Sequence, residues 1–182
     1  EEERFRTVES MISTDDRRNP LKHLTDTYGD EYPAKALKVL YEYSQRGERG
    51  CAELLLKRFK DETLYNHDTK EWLKYDNGVW VKDSISNITW RSQKFLLEVF
   101  PEVARLAEGQ EFRLKHLARD DSDNEQEFKR EANRYKKYAQ SFDKTKKAIT
   151  YKKTSDQILA LLATEKDIGI ATTDFDQHPL LI

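Results

Sequence analysis

The chain has 182 residues, of which 36% are charged and 37% belong to the hydrophobic set, and its net charge is −2. Eight Phe, nine Tyr and three Trp are enough to order a core, which excludes a disordered tail, and no apolar run approaches the ~20 residues that span a bilayer. A single cysteine, Cys51, excludes an intramolecular disulfide and fits a reducing compartment.

Two short helices are predicted near the start of the chain. Residues 1–32 are polar and weakly patterned, whereas Pro33 suits a first helical position and opens a helix that ends near Gly47. In the second helix the apolar residues recur every three or four positions, as on one buried face. These residues are Ala52, Leu55, Leu56 and Phe59.

A β-hairpin is predicted next. Asn77-Gly78 lies between two runs of aromatic and β-branched residues, and both residues tolerate the positive φ of a type I′ turn. A two-residue loop pairs Tyr75 with Trp80, and a longer loop pairs Trp72 with Val81; the pattern allows either register. The predicted fold class is therefore mainly α: a helical domain with one small β-hairpin at about residues 71–82.

Three further helices follow the hairpin. The first is predicted from Trp90, Phe95, Leu96, Val99 and Phe100, with an interruption or restart at Pro101 and an end at Gly109. After the acidic link 120–124, the second carries an apolar stripe at spacings of 4, 3, 4 and 3. The stripe consists of Phe128, Ala132, Tyr135, Ala139 and Phe142. A capping box at Thr154-Ser155-Asp156-Gln157 predicts the start of the last helix, which carries Ile158, Leu161 and Leu162.

No recognisable active site is present in the sequence. Gly47 and Gly50 lack the Lys-Ser/Thr of a phosphate loop, and we assign them to a turn between helices. The four histidines have no partner at ligand spacing, and Cys51 is expected to be a buried thiol. We expect no catalytic residue, no metal ligand and no cofactor in this fragment. The acidic start without Met predicts that the chain is cut from a longer protein.

One segment is unusually basic. Residues 129–153 contain ten Lys or Arg and two acids, a local balance of +8, with Tyr138 and Tyr151 interleaved among the cations. Such clusters bind phosphates through counterion release, and an exposed tyrosine can stack on a base. A solvated helix face, offset by the acidic link, is the alternative. The candidate nucleic-acid-binding residues are Lys129, Arg130, Arg134, Lys136, Lys137, Lys144, Lys146, Lys147, Lys152, Lys153, Tyr138 and Tyr151.

Two stretches about 70 residues apart carry a family resemblance. The first comprises Gly50-Cys51-Ala52-Glu53-Leu54-Leu55, Phe59, Leu64-Tyr65-Asn66-His67, Trp72 and Tyr75-Asp76-Asn77-Gly78-Val79-Trp80. The second comprises Thr154, Ile158, Leu161-Leu162-Ala163 and Asp174-Phe175-Asp176-Gln177-His178-Pro179-Leu180-Leu181. Together they resemble the helical domain that precedes the superfamily 3 helicase in phage, plasmid and poxvirus primase–helicases, with a helix, a short strand and a hairpin. Here Asn77 is inserted where the family often reads Asp-Gly directly.

The resemblance implies a domain organisation and a function. Residues 1–47 would be an upstream helical or linker segment, and 48–182 a collar-like accessory domain that precedes the helicase. The domain would be non-catalytic, aiding ring assembly and DNA engagement in the replication of a phage or mobile element. ATP and Mg²⁺ would belong to the absent helicase module, since the parent protein resembles an ATP-dependent DNA helicase and primase.

The implied partners are DNA in single-stranded form, the helicase and primase modules of the same polypeptide, and further copies in a homo-oligomer, with no membrane. The implied location is the host cell cytoplasm. A docking module without DNA affinity, using the aromatic hairpin around Trp72 and Trp80, is the alternative function.

Overall fold

A computed structural model describes residues 33–172 of the chain, and within them it contains five helices and a four-stranded sheet. The elements, in chain order, are α1 Ala34–Gln45, α2 Gly47–Phe59, β1 Thr63–Asn66, β2 Glu71–Asp76, β3 Val79–Asp83, α3 Ile85–Asp120, α4 Glu125–Ile149, α5 Lys152–Ala163 and β4 Gly169–Ile170. The fold is mainly α with a small β element, which confirms the predicted class.

The sheet has the strand order β3-β2-β1-β4. Tyr75 pairs with Trp80 across the β2–β3 turn, so the two-residue loop is the correct register of the two considered. The turn requires positive φ at both of its residues, and Asn77 and Gly78 adopt 51° and 91°. Strand β1 pairs antiparallel with β2, and β4 pairs parallel with β1, so the hairpin is half of a larger sheet.

Helix α3 runs unbroken for 36 residues, which corrects the predicted interruption at Pro101 and the predicted end at Gly109. Its start is capped by Ser84, whose Oγ accepts a hydrogen bond from the Asn87 backbone N–H at 3.0 Å. Proline removes one helical hydrogen bond, but buried residues on both sides of it pack in the same core and hold the helix together. Those residues are Val99, Phe100, Val103, Ala104 and Ala107.

Helices α3 and α4 form an antiparallel pair joined by the acidic link. Asp121 organises this link, because its Oδ1 accepts from the backbone N–H groups of Asp123 and Asn124 and its Oδ2 accepts from the Asn124 amide. The predicted stripe of α4 is confirmed at its four buried members, Ala132, Tyr135, Ala139 and Phe142, whereas Phe128 is only half-buried. The stripe faces α3, where the ring of Phe142 lies 6.2 Å from that of Phe100.

The remaining helices close the same core. Leu37 and Leu40 of α1 are fully buried beside α2 and α4, although the sequence placed residues 1–47 in an upstream segment. The division at residue 47 stays a prediction, since residues 1–32 lie outside the part of the chain described.

Helix α5 begins at Lys152 without a side-chain cap, so the predicted capping box is wrong. Ser155 is instead buried in the first turn of the helix. Its hydroxyl accepts from the Gln93 amide of α3 at 2.7 Å and donates to the Ile149 carbonyl at 3.1 Å. The predicted cap residue, Thr154, lies inside the first turn because the helix begins two residues before it.

Cys51 is a free buried thiol in α2, as predicted. Burial, and secondarily the nearby charge of Glu48, raise the pKa of this thiol from 9.0 to about 12. The thiolate is the reactive form of cysteine, so this residue is not a nucleophile in the folded protein.

The Cys51 pKa predicts a pH dependence of stability. Because the fold favours the protonated thiol, its contribution is complete below pH 9 and is lost as pH rises from about 9 toward 12. This contribution is measured as the difference in the free energy of unfolding in urea between the protein and its Cys51→Ala variant, at pH values from 8 to 11. We expect the protein to lose stability relative to the variant above pH 9, by at most about 1.4 kcal/mol per pH unit. A difference that is constant with pH would contradict the prediction.

Candidate nucleic-acid interface

The basic segment predicted from the sequence forms most of α4 and the start of α5. Helix α4 buries one side against α1 and α3, so its cations project from the remaining surface. All ten candidate cations are exposed: Lys129, Arg130, Arg134, Lys136, Lys137, Lys144, Lys146, Lys147, Lys152 and Lys153. The surface is therefore open to a ligand along the length of the helix.

Three of these cations form what we call the basic row: Arg130, Lys137 and Lys144. Their spacing of seven residues places them on one face of α4, about 10.5 Å apart along the axis. Within residues 33–172 none of the three is held in an ion pair, in contrast to many surface cations of this protein. The basic row is thus a line of uncompensated positive charge, which is the arrangement that attracts a polyanion.

Two other cations of α4 are partly neutralised within the helix. Lys129 forms an ion pair with Glu125, and Arg134 forms one with Glu131. The Arg134 guanidinium also lies 5.6 Å from the centre of the Tyr135 ring. These residues are weaker candidates than the basic row, because a ligand must first displace an existing carboxylate.

The two candidate tyrosines differ in position. Tyr151 is 67% exposed at the junction of α4 and α5, as a stacking side chain must be. Tyr138 is buried, and its ring stacks on Tyr41 of α1 at 4.3 Å between centroids. This corrects the expectation of an exposed ring at Tyr138, which belongs to the core.

A cleft of about 590 Å³ lies where the end of α3 meets the start of α4. Its lining is Lys115, Ala118, Arg119, Ser122, Glu125 and Lys129, and only Lys129 was among the candidates. The sequence did hold a signal for the α3 side, since Arg113, Lys115 and Arg119 fall within seven residues that contain no acid. That signal lay outside the segment with the highest local charge.

The aromatic hairpin has one buried face and one open face. Trp72 is buried against Tyr65, at 4.9 Å between ring centroids, so it cannot contact a partner. Tyr75 and Trp80 lie opposite each other on the other face, 5.2 Å apart, and Tyr75 is 40% exposed. This corrects the expectation that Trp72 is available for docking, and the aromatic pair on the open face is Tyr75 and Trp80.

Within residues 33–172 no group of three or more His, Cys, Asp or Glu side chains is arranged to hold a metal ion. His23, His178 and the Asp174–Leu181 part of the closing motif lie outside this range. The described helices include none that is both long and apolar enough to cross a membrane.

These features define a mainly helical domain with a cationic helix and a small sheet whose hairpin has one buried face and one open face. A comparison with protein families matches residues 52–182 to the family described as D5 N terminal like. The chain belongs to this family, the domain that lies N-terminal to the superfamily 3 helicase in primase–helicases. Comparisons with curated proteins and with solved structures gave no match.

Proposed function

We propose that this domain is a non-catalytic accessory module that engages single-stranded DNA next to the helicase of a primase–helicase. In this role it works with the helicase and primase modules of the same polypeptide, assists assembly of a homo-oligomeric ring, and acts in the host cytoplasm. ATP and Mg²⁺ are used by the helicase module. Family membership supports the replication context.

The observation that carries DNA engagement is the basic row on α4. Its three cations have no carboxylate partner among residues 33–172, and they project from one face of a helix whose opposite side is fixed in the core. Tyr151 adds an exposed aromatic ring beyond the end of the same helix. A cationic track with an adjacent aromatic ring is the combination that binds single strands without sequence preference.

Reversing two charges of the basic row should weaken DNA binding. For Lys137→Glu/Lys144→Glu we expect the Kd for a fluorescent oligothymidine to rise on the order of tenfold at low salt. The slope of log K against log salt should flatten by about 1.4, because each lost phosphate contact of a single strand removes about 0.7. Fluorescence anisotropy over a salt series measures both quantities.

The matched control is Lys60→Glu/Lys166→Glu, which changes the net charge equally at two exposed lysines outside α4. We expect it to leave the salt slope nearly unchanged. Equal effects of the two double variants would indicate a response to net charge alone, and absence of binding by the unaltered protein would refute DNA engagement.

A second candidate function is protein docking on the open face of the hairpin. Large aromatic side chains at a surface are frequent binding hot spots, and the Tyr75–Trp80 pair is such a surface. The same salt series separates the two candidates. If the unaltered protein binds no DNA but sediments faster when it is mixed with its helicase module, the result supports protein docking as the function of the domain.

A further inference from the structure

We propose that the cleft between α3 and α4 binds a phosphate group of the DNA strand, with Arg119 as its principal ligand. The inference rests on the proposed function and adds to it a specific phosphate site outside the basic row.

The cleft combines residues of α3, which are distant from the basic row in sequence, with residues of α4 that directly precede its first member, Arg130. Lys115 and Arg119 come from the last turns of α3, and Lys129 comes from α4 immediately before Arg130. A strand that follows the basic row toward the start of α4 therefore reaches the cleft. Its volume of about 590 Å³ is sufficient for one nucleotide.

The link that borders the cleft is held in a fixed shape. The hydrogen bonds that Asp121 accepts from Asn124 and Asp123 tie the two helices together through a tight turn. The side-chain bond from Asn124 is the main reason that the pKa of Asp121 lies below its usual value, so the link keeps this arrangement at neutral pH. Ser122 is part of this link and lines the cleft.

Arg119 supplies the chemistry that selects phosphate. Within residues 33–172 its guanidinium has no carboxylate partner, and its paired N–H groups match two phosphate oxygens. Ser122 provides a hydroxyl that can donate to a third oxygen.

The two lysines of the cleft are already paired, but weakly. Lys115 Nζ lies 2.6 Å from Glu111 Oε1, and Lys129 pairs with Glu125, each within one helix. The Lys129–Glu125 pair is solvent-exposed, and exposed pairs of this type contribute only about 0.3–0.5 kcal/mol, so a phosphate can displace the Glu125 carboxylate. The Lys115 ammonium is more than half exposed and keeps donors that a phosphate can reach beside Glu111. The lining then contributes three cations against one carboxylate, Glu125.

The test compares three single variants of the 182-residue chain in the oligothymidine assay. Arg119→Gln should raise the Kd about five-fold and flatten the salt slope by about 0.7, the value for one phosphate contact. Glu125→Gln should lower the Kd about two- to three-fold, because it removes the one carboxylate of the lining and releases Lys129. Arg113→Gln is the matched control: it removes an exposed arginine of the same helix that does not line the cleft.

The results separate this inference from the proposed function. If Arg119→Gln behaves like Arg113→Gln while Lys137→Glu/Lys144→Glu still weakens binding, the cleft site is overturned and the proposed function stands. Unchanged or weaker binding by Glu125→Gln also argues against the site. Thermal unfolding of the two arginine variants should remain unchanged, since both side chains are exposed. Glu125→Gln removes one surface ion pair and should change the free energy of unfolding by no more than about 0.5 kcal/mol.

A second measurement distinguishes a DNA phosphate from a free phosphate compound. In NMR titrations the Arg119 Nε–H signal should shift on addition of oligothymidine at concentrations where inorganic pyrophosphate leaves it unchanged. Saturation by pyrophosphate at an equal or lower concentration would assign the cleft to a free phosphate ligand and overturn the inference.

Discussion

Replacing Gly50 with alanine should destabilise the fold by about 3 kcal/mol or more, although alanine is the better helix former. The physical reason is the close approach of α2 to the end of α1. A Cβ at Gly50 would lie 1.9 Å from the carbonyl oxygen of Tyr43 and 2.7 Å from its carbonyl carbon. These are backbone atoms, so they cannot move aside without separating the two helices.

The matched control for Gly50→Ala is Gly109→Ala. Gly109 lies within α3, and a Cβ there would meet no atom within 4 Å. We expect Gly109→Ala to stabilise the protein by about 0.5–1 kcal/mol through helix propensity and the reduced entropy of the unfolded chain. Urea unfolding followed by circular dichroism measures both. Similar effects from the two substitutions would show that the close contact does not control stability.

Replacing Phe142 with alanine should cost about 3–5 kcal/mol, the range for a large aromatic side chain in a core. Phe142 is fully buried between the rings of Phe100 on α3 and Tyr138 on α4. Its removal leaves a cavity at the contact between the two longest helices, which the rigid α3–α4 pair cannot easily close. The measurement is again the free energy of unfolding in urea.

Phe112→Ala is the corresponding control on the surface. Phe112 is 59% exposed, and its ring contacts His116 of the same helix. We expect a change within about 0.5 kcal/mol. If Phe142→Ala lowers the free energy of unfolding no more than Phe112→Ala does, the placement of Phe142 in the core is contradicted.

The features that could be predicted from the sequence are those encoded by nearby residues. The stripe of α4 and the Asn77-Gly78 turn are local patterns, and the structure confirms both. Tyr138 was misassigned because α1 covers a second side of α4, which widens its buried face beyond the stripe. Strand β4 has two residues and no pattern of its own, so its pairing with β1 could not be seen in the sequence.

Pro101 shows how tertiary packing can override a local rule. Proline is a probable helix boundary in an isolated sequence, yet the core contacts of α3 continue past it. The predicted cap at Thr154 is wrong because the helix begins at Lys152, which places Thr154 inside the first turn. Ser155 beside it is buried, and its hydroxyl accepts a hydrogen bond from Gln93 of α3, a contact with a distant part of the chain.

The candidate site was predictable only in part. Local charge identified the basic segment, and helical spacing within it defines Arg130, Lys137 and Lys144 as one row. The cleft combines residues from the end of α3 with residues from the start of α4, so its existence depends on the turn between them. Charge counting in a single window cannot detect such a site.

The length of α3 determines how far apart the candidate surfaces lie. The helix begins directly after β3, beside the sheet, and ends at the cleft, and its 36 residues span about 54 Å along the axis. A protein bound to Tyr75 and Trp80 would therefore sit at the opposite end of the domain from a strand held by Arg119. If both proposals hold, the length of α3 would separate the two binding surfaces, so occupation of one would leave the other accessible.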